Sequence, residues 1–301
     1  MTAPTRVAAS APGDAPDRYA VLGHPVAHSQ SPFIHAEFAR QTGQHIVYTR
    51  IECPLDGFED GVRRFAASGE SRAGPGRAGG CNITVPFKFQ VLPLAARVSP
   101  RAALAHSANV LRFDADGWYA DNSDGIGLVR DIEVGAGQPL AGRRLLLIGA
   151  GGAAAGVLGP LLDAHPASIA VVNRTSARAA VLARRHAARA AELQVALTSA
   201  GLDDCGEGYD VVINSSASSL GGAAVPVPAQ VLAPGALAID LMYGAPAAPF
   251  LAWAEAHGAR GRDGLGMLVE QAAEAFHVWR GVMPQTGPVL SALRSRLAVN
   301  P

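Results

Sequence analysis

The chain has 301 residues, 49% of them hydrophobic, enough to bury one large core or, as the length favours, two smaller ones in separate domains. Charged residues make up 17% and cancel to a formal net charge of zero, so no summed field recruits nucleic acid or an anionic membrane surface, and the expected partner is a small molecule. Cys53, Cys81 and Cys205 are odd in number, far apart and without a C-x-x-C pair, which argues against a disulfide framework or a zinc site and fits a reducing cytoplasm.

Residues 1–17 are rich in Ala and Pro with no sustained apolar run, unlike a secretory signal or a membrane span, and read as a disordered tail. Tyr19 to Gly23 then reads as a buried strand. Ser31 to Gln41 carries helical spacing through Phe33, Ile34 and Phe38. A second extended run at Ile46 to Ile51, a helical pattern from Asp56 to Ala67 and an apolar strand at Cys81 to Val85 continue the alternation. Such alternation predicts an α/β domain with an open, mostly parallel sheet. Gly69 to Gly80, dense in Gly, Arg and Ala, reads as a surface loop. Arg143 to Ile148 opens a second α/β domain, with a helix running to Ala164. Further strands are expected at Ser168 to Val172, Val195 to Leu197, Asp210 to Ile213 and Ala236 to Asp240. Past Asp263 the pattern is helical over Gly266 to Arg280 and again from Pro288. These last helices are expected to pack back on the first domain.

The strongest local signal is Gly149-Ala150-Gly151-Gly152-Ala153-Ala154. It fits G-x-G-x-x-G/A: one Gly makes the tight turn, the second lets backbone approach a pyrophosphate, and a small third residue lets helix and strand pack. It also follows an apolar strand and opens a helix, the context a dinucleotide needs. The helix N-terminus then faces negative phosphate. Where an NAD site carries an Asp or Glu after the second strand, Val171-Val172 leads into Asn173-Arg174-Thr175-Ser176, with no carboxylate. NADP is therefore the expected cofactor. Arg174 can stack on adenine or pair with the 2′-phosphate, and Asn173, Thr175 and Arg178 add donors. The bland alternative is a solvated helix start capped by Thr175 or Ser176.

Acid and base groups must come from elsewhere. Asn82-Ile-Thr84-Val-Pro86-Phe-Lys88 follows a strand and ends in a lysine between Phe87 and Phe89, where partial desolvation lowers an ammonium's pKa. Asp121-Asn-Ser-Asp124-Gly125 is a polar turn ahead of the cofactor domain, where an Asp can face an interdomain cleft. Lys88 and Asp124 are the acid and base candidates. Taken alone, a surface lysine and a turn-capping Asp explain them equally well.

Six segments in one order widen the view: His28-Ser29-Gln-Ser31-Pro32, Asn82 to Lys88, Asp121 to Gly125, the Gly149 turn, Asn173-Arg174-Thr175 and Asp263-Gly-Leu-Gly-Met-Leu-Val-Glu-Gln271. Together they resemble the shikimate dehydrogenases over roughly Tyr19 to Leu290. The resemblance implies a substrate domain over 18–123, a Rossmann NADP-binding domain over 124–263, and C-terminal helices over 264–301 completing the first. It implies that Ser29 and Ser31 bind a carboxylate, that Asn82, Thr84, Asn109, Asp124 and Gln271 contact ring hydroxyls around Lys88, and that Tyr243 lines the substrate cleft. Met242 and Gly264 would then stand beside the cofactor with the glycine turn. The implied reaction is NADP-dependent interconversion of 3-dehydroshikimate and shikimate in aromatic amino acid biosynthesis, without a metal, in a cytoplasmic enzyme for which a homodimer is left open. A quinate/shikimate paralogue, a folate-pathway methylene dehydrogenase and a non-catalytic NADP-binding regulator are the rival readings. Four positions depart from the family pattern: Val110 follows Asn109 where Thr is usual, Ser123 replaces Thr, Asn214-Ser-Ser-Ala replaces Asn-Ala-Thr-Ser, and His24 replaces Asn.

Overall fold

The computed structural model describes residues 15–68, 76–216 and 225–299. Residues 1–14 of the expected tail and 69–75 of the glycine-rich loop lie outside that description. The chain divides into two compact units, one built from the residues up to Ser123 with Val269–Arg296, the other from Asp124–Leu268 with the residues from Leu297 on.

The first unit contains β1 (Asp17–Gly23), α1 (Ser31–Thr42), β2 (Ile46–Glu52), α2 (Phe58–Ala67), β3 (Ala78–Ile83), β4 (Arg97–Val98), α3 (Pro100–Ala105), β5 (Val110–Arg112) and β6 (Tyr119–Asp121). Its sheet runs β2-β1-β3-β5-β6-β4. β1 pairs parallel with both β2 and β3, as the alternating sequence predicts, whereas β5 returns antiparallel between β3 and β6. Helix α2 buries Phe58, Gly61, Val62 and Phe65, one face at helical spacing. Several boundaries differ from the sequence reading, and two of the differences have a visible cause. Asp17 is already in β1, held there by Arg280, which takes its carboxylate in the buried interior. The third strand begins at Ala78, inside the expected loop, because the space a larger side chain would need beside Gly79 and Gly80 is filled by Tyr19, Trp279 and the Leu111 carbonyl.

The second unit contains α4 (Asp124–Arg130), β7 (Arg144–Ile148), α5 (Gly152–Asp163), β8 (Ser168–Val172), α6 (Ser176–Glu192), β9 (Ala196–Ala200), β10 (Tyr209–Asn214), β11 (Leu232–Asp240), α7 (Ala248–Ala256) and β12 (Arg260–Arg262). Every neighbour in the sheet β12-β11-β10-β7-β8-β9 is parallel. Counted from β7 this is the 3-2-1-4-5-6 order of a Rossmann sheet, whose ligand crevice lies where the order reverses, beside the first strand. Leu145, Leu146, Leu147 and Ile148 of β7 are buried on both faces, the reason that strand reads as a continuous apolar run.

The chain ends in α8 (Leu265–Arg280) and α9 (Thr286–Val299). Within the first unit, Trp279 of α8 donates its indole N–H to the Leu111 carbonyl at 2.9 Å and stacks on Tyr19 at 4.7 Å. Among the described residues no helix is long and apolar enough to cross a membrane.

Candidate active site

In the first unit, polar side chains gather after the C-terminal ends of β1 and β3. Between β1 and α1, the Ser29 hydroxyl donates to Ser31 Oγ at 3.1 Å and accepts the Ser31 backbone N–H at 3.3 Å. Arg50 of β2 fixes the same loop from behind, giving two N–H groups to the Ser29 carbonyl at 2.9 and 2.6 Å. At the end of β3, buried Asn82 donates to the Asn109 carbonyl at 3.0 Å and accepts the Tyr48 hydroxyl at 2.7 Å. Thr84 follows, half-buried, its backbone N–H on the Leu22 carbonyl at 2.9 Å.

Lys88 lies in a short 3-10 turn, Phe87–Gln90, and its carbonyl accepts the Ala108 N–H at 3.0 Å, one residue before Asn109. Phe87 is fully buried and stacks on Phe58 at 4.6 Å, anchoring the turn. Phe89 is 48% exposed, so the two phenylalanines do not enclose the half-buried lysine as its flanks suggest. Asn109 is the centre of a buried net: its amide donates to Ser123 Oγ and to Gln271 Oε1, each at 3.1 Å, and its oxygen accepts the Ser123 N–H at 2.8 Å.

In the second unit, the glycine turn follows β7 directly. Gly149 has φ +111, a conformation costly for any residue with a Cβ, and donates to the Val172 carbonyl at 2.7 Å. Gly151 caps α5, and a Cβ built on it meets nothing within 4 Å, so open space faces the helix N-terminus. Gly152 and Ala153 begin the helix, and Ala154 is buried against the core. These features fit a pyrophosphate. After β8, the Asn173 amide donates to the Thr175 carbonyl at 3.0 Å. Thr175 stands at the α6 N-cap without a side-chain capping bond, so capping does not account for its hydroxyl. Arg174 and Arg178 are exposed at this same end, with no acidic residue in the first turn. Two cations at the positive pole of a helix dipole oppose the field there, and a bound anion relieves that conflict. No carboxylate stands at the end of β8 to meet a ribose hydroxyl pair, and the residues present fit a 2′-phosphate instead.

Asp124 is buried at the start of α4. Tyr243 and Met242 follow β11, where the Met242 N–H is held by Asp240 at 2.8 Å, and Gly264 donates to the Met242 carbonyl at 2.9 Å.

Residues 21–111 match the model of the shikimate dehydrogenase substrate binding domain, 134–221 that of shikimate / quinate 5-dehydrogenase, and 264–294 that of the shikimate 5'-dehydrogenase C-terminal domain. Shikimate dehydrogenase (NADP(+)) of Methylibium petroleiphilum is 63% identical over 279 residues, spanning 93% of this chain and 94% of that one. The chain belongs to the shikimate dehydrogenase family. The Cupriavidus necator protein of the same name is 50% identical over 286 residues, with 93% and 94% of the two chains covered. Among solved structures, an Ael1 enzyme from Pseudomonas putida superposes with a TM-score of 0.80 at 44% identity, over 92% of this chain and 98% of that one. Shikimate 5-dehydrogenase of Thermus thermophilus, solved with NADP(H) and shikimate, gives 0.76 at 29% identity over 93% and 99%.

For a shikimate dehydrogenase the departures at Val110 and Ser123 have a local explanation. Val110 is fully buried and packs with Tyr19, Val21, Tyr48 and Trp279, so its apolar branch serves the core. Asn109 takes its support from Ser123, whose hydroxyl does what a threonine hydroxyl would. In the Asn214 segment, Asn214 donates to Asp240 at 2.8 Å and Ser215 donates to the Ile148 carbonyl at 2.7 Å, tying β10 to the strand that carries the glycine turn; Ala217 lies outside the described residues. His24 approaches Glu52 at 3.3 Å.

Two residues beside this site are absent from the sequence reading: Tyr48 and Arg50. The signal available was Tyr48 and Arg50 at i and i+2 of one strand, on the same face. The Asp263 segment also yields a stability prediction. A Cβ on Gly266 would lie 1.7 Å from Asp131 Oδ1, and Asp131 is buried in a two-bond pair with Arg262. Gly266→Ala is expected to destabilise the second unit by about 1–3 kcal/mol through overpacking, read as a lower urea midpoint; an unchanged midpoint contradicts this packing.

Proposed function

We infer that this chain catalyses the NADP-dependent, reversible reduction of 3-dehydroshikimate to shikimate. The observation that carries the reading is the polar array of one unit: paired Ser29 and Ser31 hydroxyls, and Asn82, Thr84, Asn109 and Gln271 around the Lys88 turn. Shikimate has one carboxylate and three hydroxyls, so such an array can pair each oxygen, and an analogue lacking one leaves a protein group unpaired. We assign Ser29 and Ser31 to the carboxylate, and Asn82, Thr84, Asn109, Gln271 and Tyr243 to the remainder of the substrate.

When bound, NADPH supplies the hydride. Lys88 gives the proton to the carbonyl oxygen, and Asp124 is assigned as the second acid-base group. Gly149 to Ala153 would hold the pyrophosphate, Met242 and Gly264 would flank the nucleotide, and Asn173, Arg174, Thr175 and Arg178 would hold the 2′-phosphate end. Three buried free thiols support a reducing compartment, and the cytoplasm is the proposed location.

A spectrophotometric assay of NADP reduction with shikimate and quinate side by side tests the reading. Turnover of shikimate is expected; faster turnover of quinate favours the paralogue, and binding of NADPH without turnover favours the regulator. Cofactor choice has its own test. Arg174→Gln removes charge-assisted contacts worth about 1.5–3 kcal/mol, so NADP affinity should fall by roughly one to two orders of magnitude while NAD changes little. Equal losses for both cofactors, measured by calorimetric titration, contradict the 2′-phosphate assignment.

A further inference from the structure

The Asn82 carboxamide has one orientation that its neighbours permit. The Asn109 carbonyl, 3.0 Å away, can only accept, so the amide nitrogen must face it. The amide oxygen then faces Tyr48, whose hydroxyl must donate at 2.7 Å. One N–H goes to Asn109, and the second is left for a ligand oxygen.

The surroundings hold that hydroxyl as a donor. Tyr48 is 8% exposed, and burial pushes its phenol well above the ordinary tyrosine range, with Cys81 adding to the effect and Ser31 opposing it. It keeps its proton at any working pH. Its ring lies flat on His35, centroids 4.3 Å apart and planes within 8°. Burial lowers the His35 imidazole to about 3, so the supporting ring is neutral. Trp279 closes the group at 6.3 Å from the Tyr48 ring.

We propose that Tyr48 is a positioning residue, which fixes Asn82 with an N–H toward the substrate. This rests on the assignment of Asn82 to the substrate made above. With substrate bound, Tyr48 continues to hold the Asn82 oxygen.

Tyr48→Phe keeps the ring and its stacking and removes only the hydroxyl. The shikimate KM is expected to rise about tenfold, the loss of one buried hydrogen bond, with kcat and the NADP KM little changed. A merely structural role would move kcat, cofactor affinity and melting temperature as well. Asn82→Ala should raise the same KM, and Tyr48→Phe added to it should cost less than about twofold more, since the group it orients is gone. Asn82→Asp carries the test without touching Tyr48, and decides the matter if Tyr48→Phe does not fold. Its carboxylate still accepts from Tyr48 but offers no N–H, so the shikimate KM should rise at least as far as in Tyr48→Phe. An unchanged KM in Asn82→Asp, a normal KM in Tyr48→Phe beside an impaired Asn82→Ala, or fully multiplicative effects in the double variant overturns the role of Tyr48 alone. A normal KM in Asn82→Ala removes the substrate assignment beneath it as well.

Discussion

A Lys88→Met enzyme is expected to turn over shikimate about 10²–10⁴ times more slowly than wild type, the usual loss for a missing acid or base. Reduction of a ketone leaves negative charge on its oxygen, and a nearby ammonium supplies both a proton and a compensating field. Methionine approximates the lysine stem in bulk and leaves the backbone bond from Ala108 intact, as well as the buried Phe87 that anchors the turn. The structural cost should therefore be small, with melting temperature and NADP affinity near wild type. Asp124→Asn should lower kcat and also raise the shikimate KM, because the proposed contact of Asp124 with a hydroxyl is lost in the same variant. Steady-state kinetics in both directions, with cofactor binding measured separately, distinguish these outcomes. A Lys88→Met enzyme with normal kcat would sink the assignment.

Much of this architecture was legible because periodicity and turn chemistry agreed. β7 and its glycine turn are written as a run of Leu and Ile followed by Gly149 and Gly151, and local residues alone decide that structure. Helices α1 and α2 show their buried faces as spacing. The antiparallel return of β5 and β6 was not legible, since each strand has three residues and its partner is chosen by tertiary contacts. The start of β3 was hidden for a related reason. Ala78-Gly79-Gly80 has loop composition, yet those small residues are what Tyr19 and Trp279 need in order to pack over the strand. The candidate site divides in the same way. Ser29, Ser31, Asn82 and Lys88 stand in recognisable runs, whereas Tyr48 and Arg50 act from an edge strand, where i, i+2 spacing marks a shared face but not the distant partners they meet.

Arg101→Met is expected to be the most destabilising of these substitutions, by about 3–5 kcal/mol, because it takes the guanidinium away from two buried carboxylates rather than removing a surface contact. Arg101 gives two N–H groups to Asp121 at 2.7 and 2.6 Å and a further bond to Glu274 at 3.0 Å. The Asp121 and Glu274 side chains are 3% and 10% exposed, so water cannot take over from the lost guanidinium. Burial works against the Arg101 charge, but the hydrogen bonds and charges of Asp121 and Glu274 outweigh it and hold the group above its ordinary range. Asp121 also accepts the Ser99 hydroxyl at 2.5 Å and the Asn122 N–H at 2.7 Å, so the pair sets the turn that carries Ser123 into the Asn109 net. The shikimate KM should rise along with the loss of stability. In a Trp253→Phe background the remaining tryptophans, Trp118 and Trp279, both lie in the first unit, and their fluorescence in urea reads that unit by itself. Replacing Asp121 as well, as Arg101→Met/Asp121→Leu, should recover part of the loss, since an uncompensated buried charge costs more than the pair contributes. A single Arg101→Met variant with the wild-type urea midpoint would mean that the turn is held by the Ser99 and Asn122 bonds alone.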